Sequence, residues 1–182
     1  MKYLLDKEET ARLEFRRIES SDFEHWLPFF KEPKSFTHWN IELGEPEVEC
    51  ANWYTRQFDR HASGLGGMNA LVEKSSRDFV GHCGLLVQNV DNIMELEIGY
   101  SLLPEFWNRG YASEAASRCR DVAFERSYST SLISIISLTN ASSARVAVKN
   151  GMHLEKQTTY NNNQVNIFRI TKDEWLACYL LK

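Results

Sequence analysis

The stretch that decides the fold is Glu97-Ile98-Gly99-Tyr100-Ser101-Leu102-Leu103-Pro104-Glu105-Phe106-Trp107-Asn108-Arg109-Gly110-Tyr111-Ala112-Ser113-Glu114-Ala115. An alternating apolar run breaks at Pro104, passes through an irregular turn and enters a helical pattern. Ala112, Ala115, Ala116, Cys119, Val122 and Ala123 lie at intervals of 0, 3, 4, 7, 10 and 11, which puts them on one helical face. The helix is expected from about Ser113 to Arg126, followed by a short Ile-rich strand from Leu132 to Leu138. A strand, helix and strand in this order imply a right-handed crossover between parallel neighbours. Backbone N–H groups at a helix start lack intrahelical acceptors, and the helix dipole favours an anion there. Gly110 permits the sharp turn, Arg109 supplies a cation able to pair phosphate oxygens, and Ala112 and Ser113 are small enough for close approach. A plain tight turn with a solvated Arg109 gives the same residues. The spacing fits neither a P-loop nor a dinucleotide-binding fingerprint.

Upstream, Leu13 to Ile18 reads as a strand, and Ser21 to Glu24 has capping-box spacing before Phe23, Trp26, Leu27 and Phe30. Pro28 is expected to kink or end that helix early. Glu45-Pro46 opens a second helix, with Val48, Ala51, Thr55 and Phe58 expected on its inner side. Three strands, Met68 to Glu73, Phe79 to Val87 and Ile93 to Leu103, are separated by polar turns and form an antiparallel meander. Downstream come a helix from Ser142 to Lys149 that stops at Asn150-Gly151, strands Leu154 to Tyr160 and Gln164 to Ile170 around an Asn161-Asn162-Asn163 turn, and a last helical turn carrying Trp175. No repeat or linker divides the 182 residues, so one domain spanning 1–182 is expected.

Net charge is −4, which gives no global positive field for nucleic acid or an anionic membrane. No stretch is apolar enough to span a bilayer. Cys50, Cys83, Cys119 and Cys178 are scattered, as are the five histidines. Neither metal-ligand spacing nor a disulfide framework follows, and reduced thiols in a cytoplasmic protein are expected.

The quoted stretch, together with Asn140-Ala141-Ser142-Ser143 and Val146, Lys149, Asn150, Gly151 and Met152, resembles the acetyl-CoA-binding core of the GNAT superfamily of N-acetyltransferases. More narrowly, it is similar to the branch of the ribosomal-protein N-terminal acetyltransferases RimJ and RimL. The resemblance follows the family's element order over roughly the whole chain. The family's phosphate loop usually starts with Gln or Arg where this chain has Trp107, a residue familiar in this branch.

The resemblance implies a mixed α/β fold: a central, mostly antiparallel sheet with one splayed parallel pair and helices on both faces. It further implies that acetyl-CoA is the acyl donor, with its pyrophosphate at Asn108, Arg109, Gly110, Tyr111, Ala112 and Ser113. Its pantetheine would lie along Ile98, Gly99 and Tyr100, with help from Asn140 and Ser143. An amine then attacks the thioester directly. Acyl transfer needs a neutral amine, a polarised carbonyl and a proton for the thiolate. Glu97 is the preferred base, with Glu95 in reserve; Ser143 or Tyr160 is the candidate acid. Gly99 also fits a simple bulge, Glu97 a salt-bridged face residue, Ser143 a helix start, Asn140 a strand end and Tyr160 core packing. His38 and Trp39 lie where the family places part of its acceptor pocket, though Trp39 equally suits packing. The acceptor is expected to be a protein N-terminal α-amine or a small-molecule amine, and the enzyme a monomer or homodimer without metal. A non-catalytic coenzyme A-binding or interaction module of the same fold is the alternative.

Overall fold

The computed structural model describes residues 2–40, 42 and 44–179, with nothing said of the side chains of 178 and 179; the Cys178 thiol therefore lies outside the described residues. Seven strands form one sheet: β1 (Leu13–Arg16), β2 (Gly66–Glu73), β3 (Phe79–Val90), β4 (Ile93–Leu102), β5 (Ser131–Ser137), β6 (His153–Tyr160) and β7 (Asn163–Thr171). Their spatial order is β1-β2-β3-β4-β5-β7-β6. Every neighbouring pair is antiparallel except β4 and β5, which run parallel and share a single registered pair, Glu97 with Ile133. The mixed α/β sheet and the β2-β3-β4 meander expected from sequence are both present. Asp91 and Asn92 carry positive φ angles (52° and 65°), the left-handed pair that a two-residue hairpin requires; Asn161 and Asn162 repeat the device (47° and 60°) between β6 and β7.

The helices are α1 (Phe23–Lys31), α2 (Pro46–Ala62), α3 (Tyr111–Glu125), α4 (Ala141–Lys149) and α5 (Lys172–Tyr179). Helix α3 covers one face of β3 and β4 with the alanine stripe read from sequence: Ala115, Ala116, Cys119, Val122 and Ala123 are all buried. It starts two residues earlier than expected, because Gly110 itself takes the left-handed turn (φ 84°) and frees Tyr111 for helix. Cys83 on β3 and Cys119 on α3 meet with sulfurs 3.4 Å apart, both buried and unoxidised, a proximity that sequence separation hides.

Helices α1 and α2 cover the other side, and three expectations fail there. Pro28 does not end α1, which runs on to Lys31. Pro28 is on the exposed side, while Trp26, Leu27, Phe29 and Phe30 are buried. Trp26 packs against Phe29, Trp53 and His82 with ring centroids 4.2, 5.7 and 4.5 Å away. Burying such side chains stabilises by about 1.5–3 kcal/mol each, enough to outweigh one lost backbone bond. The capping box is Glu19 with Asp22 rather than Ser21 with Glu24: Asp22 accepts the Glu19 N–H at 2.8 Å while paired to Arg16 at 2.6 Å. The inner side of α2 is Cys50, Trp53, Tyr54 and Gln57, not Val48, Ala51, Thr55 and Phe58. Two interleaved helical periods compete in that segment, and the one with larger rings wins the core.

Candidate active site

The end of β4 builds the site from backbone upward. After Leu102, a 3-10 turn over Pro104–Phe106 carries the chain out of the sheet. The Trp107 indole N–H donates to the Leu102 carbonyl at 2.7 Å, so the unusual loop residue ties the loop to the strand it leaves. Asn108 (φ 60°) and Gly110 (φ 84°) both adopt left-handed conformations, which curl the chain into α3. A glycine N-cap offers no side-chain acceptor. Among the described residues no acceptor is found for the amides of Gly110, Tyr111, Ala112 and Ser113. These are the donors an anion requires.

The loop is held from below. Glu114 accepts from Thr10 Oγ1 (2.5 Å), the Arg12 amide (2.8 Å) and Arg12 Nε (2.7 Å), and Arg12 Nη1 donates to the Arg109 carbonyl at 3.0 Å. The Arg12 guanidinium also lies 4.2 Å from the Tyr111 ring centroid, and the Tyr111 hydroxyl donates to Glu73. Burial disfavours ionised Glu114, yet the bonds from Thr10 and Arg12 prevail and hold its pKa below the ordinary value. Thr10, Arg12 and Glu73 were not singled out from sequence, since Thr10 and Arg12 lie about a hundred residues from the loop and Glu73 lies 38 from Tyr111.

A cleft of about 360 Å³ opens over these amides. Of the residues predicted to bind acetyl-CoA, Tyr100, Asn108, Gly110, Tyr111, Ala112, Ser113, Asn140 and Ser143 line it, and His38 and Trp39 share its wall. Its cations are Lys34, Arg145 and Lys149, a local positive lining on a chain of net charge −4. The exposed Arg109 side chain is not among the residues lining this cleft. Its guanidinium sits 5.6 Å from the Phe106 ring centroid, beside a separate groove containing Glu105 and Asp78.

Asn140 caps α4, its Oδ1 accepting the Ser143 amide at 3.0 Å, so its strand-ending and cleft-lining readings coexist. Tyr100 donates its hydroxyl to the Ser143 carbonyl at 3.1 Å. Ser134 Oγ on β5 donates to the Ile98 carbonyl at 3.0 Å, beyond the last registered pair of β4 and β5. Gly99 is not a bulge: the β3–β4 register is continuous through it. A Cβ there would meet the ends of the Leu86 and Met68 side chains at 2.9 Å, so a larger residue would require those two side chains to shift.

Glu97 and Tyr160 are brought together on the opposite face of β4, away from Ser143. Side chains alternate along the strand, which sends Ile98 and Tyr100 toward α3 and Glu97 toward α2. Gln88 Nε2 donates to Glu97 Oε2 at 2.7 Å, and Tyr160 donates its hydroxyl to Gln88 Oε1 at 2.9 Å. Burial raises the Glu97 pKa, opposed by Gln88, by the Ile135 backbone N–H and by the charge of Arg60. Arg60 is fixed by donating to the Val87 and Leu65 carbonyls at 2.7 and 3.0 Å. Glu95, the reserve base, is occupied by a two-point pair with Arg169 at 2.6 and 3.1 Å. His38 Nδ1 lies 2.9 Å from Thr139 Oγ1, and Asn40 Nδ2 donates to the Asn162 carbonyl at 3.0 Å, so the segment between α1 and α2 is strapped to the far end of the sheet. Among the described residues no cluster of His, Cys, Asp and Glu suits a metal ion, and no helix is long and apolar enough to cross a membrane.

The family model for the acetyltransferase (GNAT) domain matches residues 12–153. The chain belongs to the GNAT acetyltransferase family. It is 30% identical to the uncharacterised protein YkkB of Bacillus subtilis over 162 residues, 87% of this chain and 92% of that one. Among solved GNAT-like folds, an acetyltransferase from Agrobacterium tumefaciens superposes with a TM-score of 0.76 at 23% identity, covering 91% of this chain and 94% of its own. RimL, a ribosomal L7/L12 alpha-N-protein acetyltransferase solved with coenzyme A, gives 0.72 at 18% identity, with 92% and 97% covered. The GNAT fold and its RimL-like architecture are thus those expected from the Glu97–Ala115 stretch.

Proposed function

We propose that this protein is a single-domain acetyl-CoA-dependent N-acetyltransferase of the cytoplasm, acting on a primary amine: a protein N-terminal α-amine or a small-molecule amine. The observation that carries this reading is the set of unclaimed amides at Gly110–Ser113, facing a cleft lined by Lys34, Arg145 and Lys149. A diphosphate satisfies such donors and cations together. The cleft also takes in Tyr100, Ser101 and Leu102 at the end of β4, with Asn140 and Ser143 across from them. That is room for an extended pantetheine arm taking the place of a strand.

In the proposed reaction, Glu97 accepts the proton of the attacking ammonium, directly or through water, because an alkyl amine is mostly protonated at neutral pH. The amine nitrogen bonds to the acetyl carbon as the carbon–sulfur bond breaks, and the thiolate takes a proton relayed by Ser143, which lines the cleft. Tyr160 is assigned to the Glu97 side, where its hydroxyl already donates to Gln88.

Ser113→Asp tests the donor site. A carboxylate in the first turn of a helix is compatible with folding, but it would occupy the amides and repel a diphosphate. Calorimetric titration with coenzyme A should show affinity reduced by roughly 10²-fold or more, the equivalent of losing one or two charge-assisted hydrogen bonds. Undiminished affinity in the folded variant removes the donor-site assignment.

A further inference from the structure

We infer that Gln88 is a positioning residue for the acetyl-transfer site, orienting the Glu97 carboxylate and favouring its ionised, proton-accepting form. The inference rests on the proposed role of Glu97 and adds to it a residue outside the family's sequence pattern as read from Glu97 to Met152.

The geometry is directional. An ionised carboxylate only accepts hydrogen bonds, so the Gln88 amide must turn its NH2 toward Glu97 Oε2, at 2.7 Å. Its oxygen is then committed to the other side, where the Tyr160 hydroxyl donates at 2.9 Å. Tyr160 thus fixes the amide, and the amide fixes the carboxylate. A protonated Glu97 can still accept from the same NH2, but the bond to the ionised carboxylate is charge-assisted and about twice as strong. The contact therefore favours the charged form, which an apolar side chain at 88 would not do.

Gln88 opposes burial, which pushes Glu97 upward. The other titratable groups facing Glu97 are Arg60 from α2 and Tyr160 from β6; Tyr100, on the opposite face of β4, interacts with it only through the field of the charge. Arg60 favours ionisation as well, but through its charge, with its guanidinium held on the Val87 and Leu65 carbonyls. Only Gln88 and the Ile135 amide bond it among the described residues, and of these only the side chain can be substituted.

The test is a carbon-13 NMR titration of glutamate carboxyl groups in the full chain, with Glu97→Gln identifying the Glu97 resonance by its loss. In Gln88→Leu the Glu97 midpoint should rise by about 1 pH unit, the loss of one hydrogen bond to a charge; Tyr160→Phe should raise it by less, since the amide keeps its contact but loses its orientation. Gln88→Met, unbranched and apolar, serves should the leucine variant fail to fold. A midpoint unmoved in a folded Gln88 variant overturns the inference. Acetyl transfer at the wild-type rate in Glu97→Gln would instead overturn the base assignment, whatever the titration shows.

Discussion

The two faces of β4 are built from opposite materials. Toward α3 the strand runs out into backbone: a loop with two left-handed residues, a helix start whose amides have no acceptor among the described residues, and a cleft lined by cations. Toward α2 the polar groups are side chains, and they bond one another through Tyr160, Gln88 and Glu97. An open set of donors suits a ligand that brings its own charge. A closed chain suits a carboxylate that must stay oriented in a poorly solvated place. In the proposed reaction, the donor and acceptor halves are separated by a single strand.

The largest effect expected from breaking this division is on turnover. Glu97→Gln should lower kcat by about 10²-fold, the usual consequence of losing a general base, while coenzyme A affinity stays at the wild-type value. Equal losses in rate and affinity would mean that the two faces are one site. The wild-type rate should climb with pH through a midpoint above the ordinary carboxylate range, because burial raises Glu97, and this limb should vanish in the variant.

Two carboxylates sharpen the contrast through stability. Glu97 is shifted upward in the folded state and Glu114 downward. Folding therefore favours protonated Glu97: its contribution is complete below the unfolded pKa and is lost as pH rises through the folded one. Glu114 does the reverse, contributing above the unfolded pKa and losing it as pH falls through its lower folded value. Glu114→Gln should cost about 2 kcal/mol at neutral pH by denaturant unfolding, since it weakens the bonds to Thr10 and Arg12. Against wild type, that deficit should shrink on acidification. A deficit independent of pH would show that the charge of Glu114 is irrelevant to the latch beneath the loop.

The smallest effect concerns the strap. Asn40→Ala removes the bond to the Asn162 carbonyl at an exposed position and should cost under about 1 kcal/mol, while raising KM for the amine more than for acetyl-CoA. An unchanged amine KM would detach the strap from the acceptor side.

Most of the donor face could be read from the sequence because it is made of consecutive residues. Pro104, Gly110 and the alanine stripe announce strand end, turn and helix in order, and Asn140 announces the next helix. The Glu97 face was legible only as a carboxylate interrupting an apolar strand. Its partners Gln88, Arg60 and Tyr160 come from three other elements, and no local pattern connects them. Arg109 illustrates a different limit: a cation beside a turn suggests a phosphate contact, but sequence does not fix where a long exposed side chain lies, and here the guanidinium sits near the Phe106 ring. On α2 the periodicity was real but degenerate, and ring size rather than spacing chose the buried face.

Cocrystallisation with coenzyme A tests the central claim most directly. The expected electron density places the diphosphate oxygens within hydrogen-bond distance of the Gly110–Ser113 amides and the pantetheine alongside Tyr100. A diphosphate bound elsewhere, with those four amides still lacking an acceptor, would contradict it.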